Sequence, residues 1–155
     1  MIPIEVKFMR SFGNFPFGSS TKDAELFFGT SEETEIIDGM DGSSSLVWHY
    51  WEKGFSLFFD RLQTEKFCCV EVDNSVHLIF DGIHLFTLGE KELKNELSKK
   101  GYKDLEEEQH EWGEKRITFD DAMADFYFEN GKLISINYSV SLSNENDSDS
   151  DRNKN

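Results

Sequence analysis

The pattern GFSLFFDRLQTEKFCCVEV at residues 54–72 constrains the chain most, because a second copy of its plan, ADFYFENGKLISINYSV, occupies residues 124–140. Each copy predicts a β-hairpin. In the first, Leu57 and Phe59 share one strand face, and Cys68, Val70 and Val72 alternate with Cys69 and Glu71 after a turn. In the second, Phe126 and Phe128 take the matching places, Asn130-Gly131 forms the turn, and Ile134, Ile136 and Tyr138 make the apolar row.

The correspondence extends backwards at an offset of about 69 residues. Trp48 and Tyr50 fall on Ile117 and Phe119, and Ala24 and Phe28 fall on Leu93 and Leu97. What repeats is the order of periods: a helical spacing, an acidic connector, then three alternating strands. The predicted fold class is therefore α+β, with two tandem helix-plus-antiparallel-sheet repeats, about 1–74 and 75–142, in one compact domain. They would form one curved or continuous antiparallel sheet with helices on one face.

Local signals place the elements. Ile4, Val6 and Phe8 alternate as an opening strand, followed by a loop rich in Phe and Gly through Gly18. Ser20 and Asp23 open a helix over 21–28 that Gly29 ends. Residues 30–45 hold five acids and no base and predict an exposed connector. Strands are predicted at 46–51, 55–60 and 66–72, with a further strand through Val76, Leu78 and Phe80 that breaks at Asp81-Gly82 and continues to Phe86. Thr87 and Glu90 predict a capping box for a helix over 88–100, stopped by Gly101. A second acidic connector spans 102–114, and strands at 115–119, 124–129 and 133–142 complete the plan. Residues 143–155 hold no apolar side chain and predict a disordered tail.

Charge and cysteine usage narrow the function. The formal charge of −15 opposes binding to a phosphate backbone or an anionic membrane and favours a basic partner. No stretch reaches 18 apolar residues, so a cytoplasmic location is expected. Cys68 and Cys69, the only cysteines, are strand neighbours that point to opposite faces and predict two reduced thiols. The four histidines lack metal-site spacing. With no nucleophile elbow or phosphate loop, neither an enzyme nor a cofactor or metal is expected.

Two resemblances add to this reading. Helix, connector and sheet used twice resembles the β-lactamase inhibitor protein, and Gly18-Ser19-Ser20-Thr21 with Phe28-Gly29-Thr30 is similar to the helix boundaries of the outer-membrane assembly lipoproteins. The small, acidic, aromatic-rich profile also resembles bacterial toxin-immunity proteins. That resemblance implies a non-catalytic inhibitor that neutralises a basic toxin domain, such as a nuclease, as a monomer or weak dimer. The partner-binding residues would come from the first connector (Glu32, Glu33, Glu35, Asp38, Asp41), the aromatics Trp51 and Phe58, and the second connector (Asp104, Glu106, Glu107, Glu108, Glu111, Trp112). Two alternatives stand beside it. Asp38-Gly39-Met40-Asp41-Gly42-Ser43 is similar to the D-P-[LI]-D-G-[ST] signature of magnesium-dependent inositol and fructose phosphatases, and a non-catalytic interaction scaffold would need no charged partner.

Overall fold

The computed structural model describes residues 2–142; the predicted tail at 143–155 lies outside them. The fold is α+β, with two helices and two mostly antiparallel sheets. Strands β1 (Ile4–Lys7), β2 (Ser11–Phe12) and β3 (Phe15–Pro16) come first, then helix α1 (Thr21–Phe28). Strands β4 (Glu33–Asp38), β5 (Ser44–Tyr50), β6 (Phe55–Asp60) and β7 (Lys66–Asp73) follow as a meander. Next come β8 (Leu78–Phe80), β9 (Ile83–His84) and helix α2 (Glu90–Lys99). A second meander closes the chain with β10 (Leu105–Gln109), β11 (Glu114–Phe119), β12 (Ala124–Glu129) and β13 (Lys132–Ser139).

The large sheet has eight antiparallel strands in the order β10-β11-β12-β13-β7-β6-β5-β4, so the two meanders meet where β13 pairs with β7. The small sheet runs β3-β2-β1-β8-β9 and contains one parallel pair, β1 with β8. Buried side chains of the small sheet (Val6, Phe12, Phe15, Leu78), of α1 (Ala24) and of α2 (Leu93, Leu97) share one core cluster with Leu57, Phe59, Val70, Phe126 and Ile136 of the large sheet. Two tyrosines tie this core to the backbone of other elements: Tyr138 Oη donates to Ser11 O at 2.9 Å and Tyr50 Oη to Gly29 O at 2.8 Å. Burial raises the hydroxyl pKa of both, most strongly for Tyr138.

Local chemistry explains most element ends. In α1, Ser20 accepts from the Asp23 amide while the Asp23 carboxylate accepts from the Ser20 amide, a reciprocal cap. In α2 the cap is shifted by two residues from the Thr87–Glu90 pair expected. Thr87 ends a 3₁₀ turn, Gly89 takes the cap position, and Glu92 reaches back to its amide at 2.8 Å. Asp81 and Gly82, at φ 50° and 85°, turn β8 back on itself, so β9 is a hairpin return and not a continuation. The Phe- and Gly-rich stretch after β1 is also more regular than a loop, folding into β2 and β3.

Two features depart from simple alternation. The β6–β7 register shifts between Phe58 and Phe59, leaving Cys68 as an extra residue, so Phe67 turns into the core and is fully buried, where uninterrupted alternation from Val70 would face it outward. The β12–β13 register shifts between Tyr127 and Phe128, so Leu133 joins the core row in place of the expected Ile134, which is half-buried. The second departure concerns the acidic connectors. Each contains a strand, β4 or β10, and these form the two outer edges of the large sheet. All six residues of β4 and all five of β10 are exposed. Charged edge strands of this kind resist unplanned pairing with other chains.

The packing account sets an order of costs. Leu57→Ala should lower the unfolding free energy by roughly 2–5 kcal/mol, and Ser20→Ala, which removes one cap acceptor, by about 1 kcal/mol. Equilibrium urea unfolding measures both, and equal losses would count against it.

Candidate functional site

Cross-strand partners in an antiparallel sheet project to the same face. On the face opposite the core, one row therefore runs across all eight strands: Glu33, His49, Ser56, Glu71, Asn137, Asp125, Thr118 and Glu106. Every member is polar. A neighbouring row holds Val47, Phe58 and Cys69, so Phe58 is half-buried within the sheet face. On the other side of the polar row lie Asp73, Ser135, Tyr127, Arg116 and Glu108.

Where the meanders meet, this face holds a groove with a cavity volume of about 270 Å³. Its wall includes the side chains of Glu71, Asp73, Glu114, Trp51, Tyr127 and Asn137. Among the described residues no Lys, Arg or His lines it. Asp73 accepts from the Ser75 amide at 2.8 Å, whereas Glu71 and Glu114 form no side-chain hydrogen bond or ion pair among the described residues. Two carboxylates thus face the groove without an internal cation.

One end of the groove is braced by a relay. His49 Nε2 lies 2.7 Å from Glu35 Oε2, and Nδ1 lies 2.7 Å from Ser56 Oγ. The Trp51 ring stacks on the imidazole at 4.1 Å and 9°, and its Nε1–H donates to Glu33 Oε1 at 3.0 Å. Carboxylate, imidazole and hydroxyl follow the order of a hydrolase relay. Ser56 sits inside β6, however, where backbone amides point sideways into neighbouring strands and not toward a shared oxyanion position above the hydroxyl. The relay links β4, β5 and β6 across this face.

The predicted partner-binding residues divide into separate groups. Glu33, Glu35 and Trp51 come together at the β4 edge, and Glu32 nearby accepts from the Glu52 amide at 2.9 Å. Asp38 accepts from Ser44 Oγ, and Asp41 folds onto Ser43 in the β4–β5 turn, accepting from its amide at 3.0 Å; hydrogen bonding from the Ser43 hydroxyl, then from its amide, lowers the Asp41 pKa. Among the described residues no group of three or more His, Cys, Asp or Glu is placed to hold a metal ion. At the opposite edge, Glu108 pairs with Arg116 at 3.1 Å, and Glu106 has its pKa raised by neighbouring Asp120. The Asp104 amide donates to Asp121, while Trp112, an exposed ring after Glu111, stacks on His110 at 4.7 Å. The two acidic segments therefore flank the sheet face at its outer strands without meeting.

Glu107 is spent internally. With Glu90 it surrounds Lys94 and Lys115 in four ion pairs of 2.6–3.1 Å that bind α2 to β10 and β11. Hydrogen bonds from the two lysines hold the pKa of both carboxylates below the ordinary range. Glu71, Asp73 and Glu114, which line the groove, escaped the sequence reading. Alternation puts Glu71 opposite Val70 and Val72, but nothing local shows that β7 pairs with β13. The two thiols are free, and burial pushes Cys68 up to about 12 and Cys69 higher, so both are protonated, poor nucleophiles. No helix among the described residues is long and apolar enough to cross a membrane.

The lysine–glutamate cluster makes a pH-dependent prediction. Depressed carboxylate pKa values contribute stability above the unfolded value, near 4.5, and lose it as pH falls through the lower folded values. The stability gap between the native chain and Lys94→Met/Lys115→Met should be widest above about pH 5 and shrink toward about pH 3, measured by urea unfolding across that range. A constant gap would contradict the assignment.

No protein-family model matches this chain, and no curated protein or solved structure matches it either.

Proposed function

We propose that this chain is an immunity-type inhibitor that binds and neutralises a basic protein, a toxin domain with a cationic nucleic-acid-binding cleft, through the polar face of its eight-stranded sheet. The observation that carries this reading is the groove at the meeting of the two meanders, where Glu71, Asp73 and Glu114 stand beside Trp51 and Tyr127 with no base in the wall. Glu71 and Glu114, with no side-chain hydrogen bond or ion pair among the described residues, retain their full demand for a cation, and adjacent rings supply contact area that excludes water around the pair. The flanking acidic strands and a net charge of −15 extend the same field outward and speed the approach of a basic surface. In this role the chain acts in the cytoplasm as a stoichiometric binder, without catalysis or cofactor.

The proposal includes an origin for the face. The helices begin at Thr21 and Glu90, 3₁₀ turns begin at Trp51 and Asp120, and register shifts fall at Phe58/Phe59 and Tyr127/Phe128. Each pair is about 69 positions apart, which supports duplication of an ancestral helix-and-meander unit. The groove then lies at the seam of the two copies, with their helices on the other face of the sheet.

The test is co-expression with the product of the adjacent gene, followed by affinity measurements on the purified pair over a range of salt. Glu71→Gln/Asp73→Asn/Glu114→Gln should weaken binding about 100-fold and flatten its salt dependence. Asp41→Asn, in the β4–β5 turn away from the groove, should change it by less than about 3-fold. An unchanged affinity and salt slope in the triple variant would defeat the groove as the binding site.

A further inference from the structure

We infer that Trp51 is a preformed stacking platform in this groove and that the group it receives is a guanidinium, an arginine side chain of the partner; this rests on the groove being the binding site. The indole is 56% exposed yet held in one orientation. One ring face lies flat on His49, the Nε1–H is anchored on Glu33, and His49 is itself fixed between Glu35 and Ser56. The backbone beneath is equally constrained. The 3₁₀ turn Trp51–Lys53 ends at Gly54 with φ 85°, and a Cβ there would approach Ser75 Oγ at 2.5 Å and Asp73 Oδ1 at 2.8 Å. Gly54 thus permits the Trp51 turn to close against the Asp73 carboxylate.

An exposed tryptophan with two interactions fixing its ring gives up little conformational freedom when a partner arrives. Its exposed surface lines the groove, where the charged residues of the wall are Glu71, Asp73 and Glu114. A planar cation that stacks on an indole while its N–H groups reach carboxylates is a guanidinium; an ammonium is a point charge that stays more strongly hydrated. Among the described residues Glu71 and Glu114 have no donor to give up, and a cavity of about 270 Å³ admits a side chain but not a strand or helix. The comparison residue is Trp112, which stacks on His110 at 4.7 Å and 11° but does not line the groove.

Nuclear magnetic resonance titration of the ¹⁵N-labelled chain with N-acetyl-arginine methylamide and N-acetyl-lysine methylamide tests this at low salt. The Trp51 indole signal should move on addition of the arginine compound, with a dissociation constant at least about 3-fold lower than for the lysine compound. The Trp112 indole should stay in place. His49→Ala and the surface change Glu33→Ala should each weaken the arginine response about 3- to 10-fold, with amide dispersion confirming that each variant is folded. If the Tyr127 and Asn137 amides shift while the Trp51 indole does not, the platform is refuted and the groove remains a cation site. Equal responses to arginine and lysine would overturn the guanidinium assignment, and no groove response to either would overturn both the platform and the groove.

Discussion

The pairing of β7 with β13 is the contact on which the rest of the molecule depends. Its register sets Val72 against Ile136 and Val70 against Tyr138 on the core face, and Glu71 against Asn137 and Asp73 against Ser135 on the other. Because side chains alternate, a slip of one residue along this seam would send valines to the groove and carboxylates to the core. Fully buried Val70 and Ile136 oppose that slip, as does Tyr138, whose buried hydroxyl donates to the Ser11 carbonyl of the small sheet. The packing that stabilises the core is therefore the same packing that assembles the groove. Neither meander forms the groove by itself, since Glu71 and Asp73 come from one and Tyr127 and Asn137 from the other.

The two register shifts adjust each meander to this seam. Beyond Cys68 and Ile134, the residue facing inward changes parity, so Phe67 and Leu133 enter the core while the bulged residues stay half-buried. Burying Phe67 brings it against Phe17 at 4.7 Å and Phe15 at 5.0 Å, within the aromatic layer that joins the large sheet to the start of the chain. The backbone there closes too, because Phe67 exchanges hydrogen bonds of 2.8 Å with Gly18 and Ser19. A strand of uninterrupted alternation would leave that ring in solvent and the aromatic layer short of a member.

Much of this was legible in the chain. The first helix with its Ser20 cap, the paired hairpins and the Asn130-Gly131 turn all rest on short-range signals, and the structure has each of them. The edge strands were not legible for a physical reason. With solvent on both faces and one side, Glu33–Asp38 and Leu105–Gln109 need no apolar alternation, so the composition that suits an edge is also that of a loop. The bulges were hidden because Phe67 and Cys68, or Leu133 and Ile134, are similar enough for either to fill an inward place. Of the site, the outer ends at Glu33 and Glu106 could be named from acidic runs. Its centre could not, because Glu71 and Asn137 are brought together by a seam with no local sequence mark.

Net charge alone does not describe the surface such a chain presents. Glu90 and Glu107 are neutralised by Lys94 and Lys115, Glu108 by Arg116, and Glu35 holds His49. These acids contribute to the total and to folding, but each is already engaged by a side chain of the same chain. Glu71 and Glu114 add less to a count than either acidic run, yet they form no internal hydrogen bond or ion pair among the described residues and face a cavity that also exposes aromatic surface. An incoming cation gains most where it breaks no existing pair and where the adjacent surface excludes water, because both conditions keep the attraction from being offset by lost contacts. At the seam, Glu71 and Glu114 meet both conditions at once.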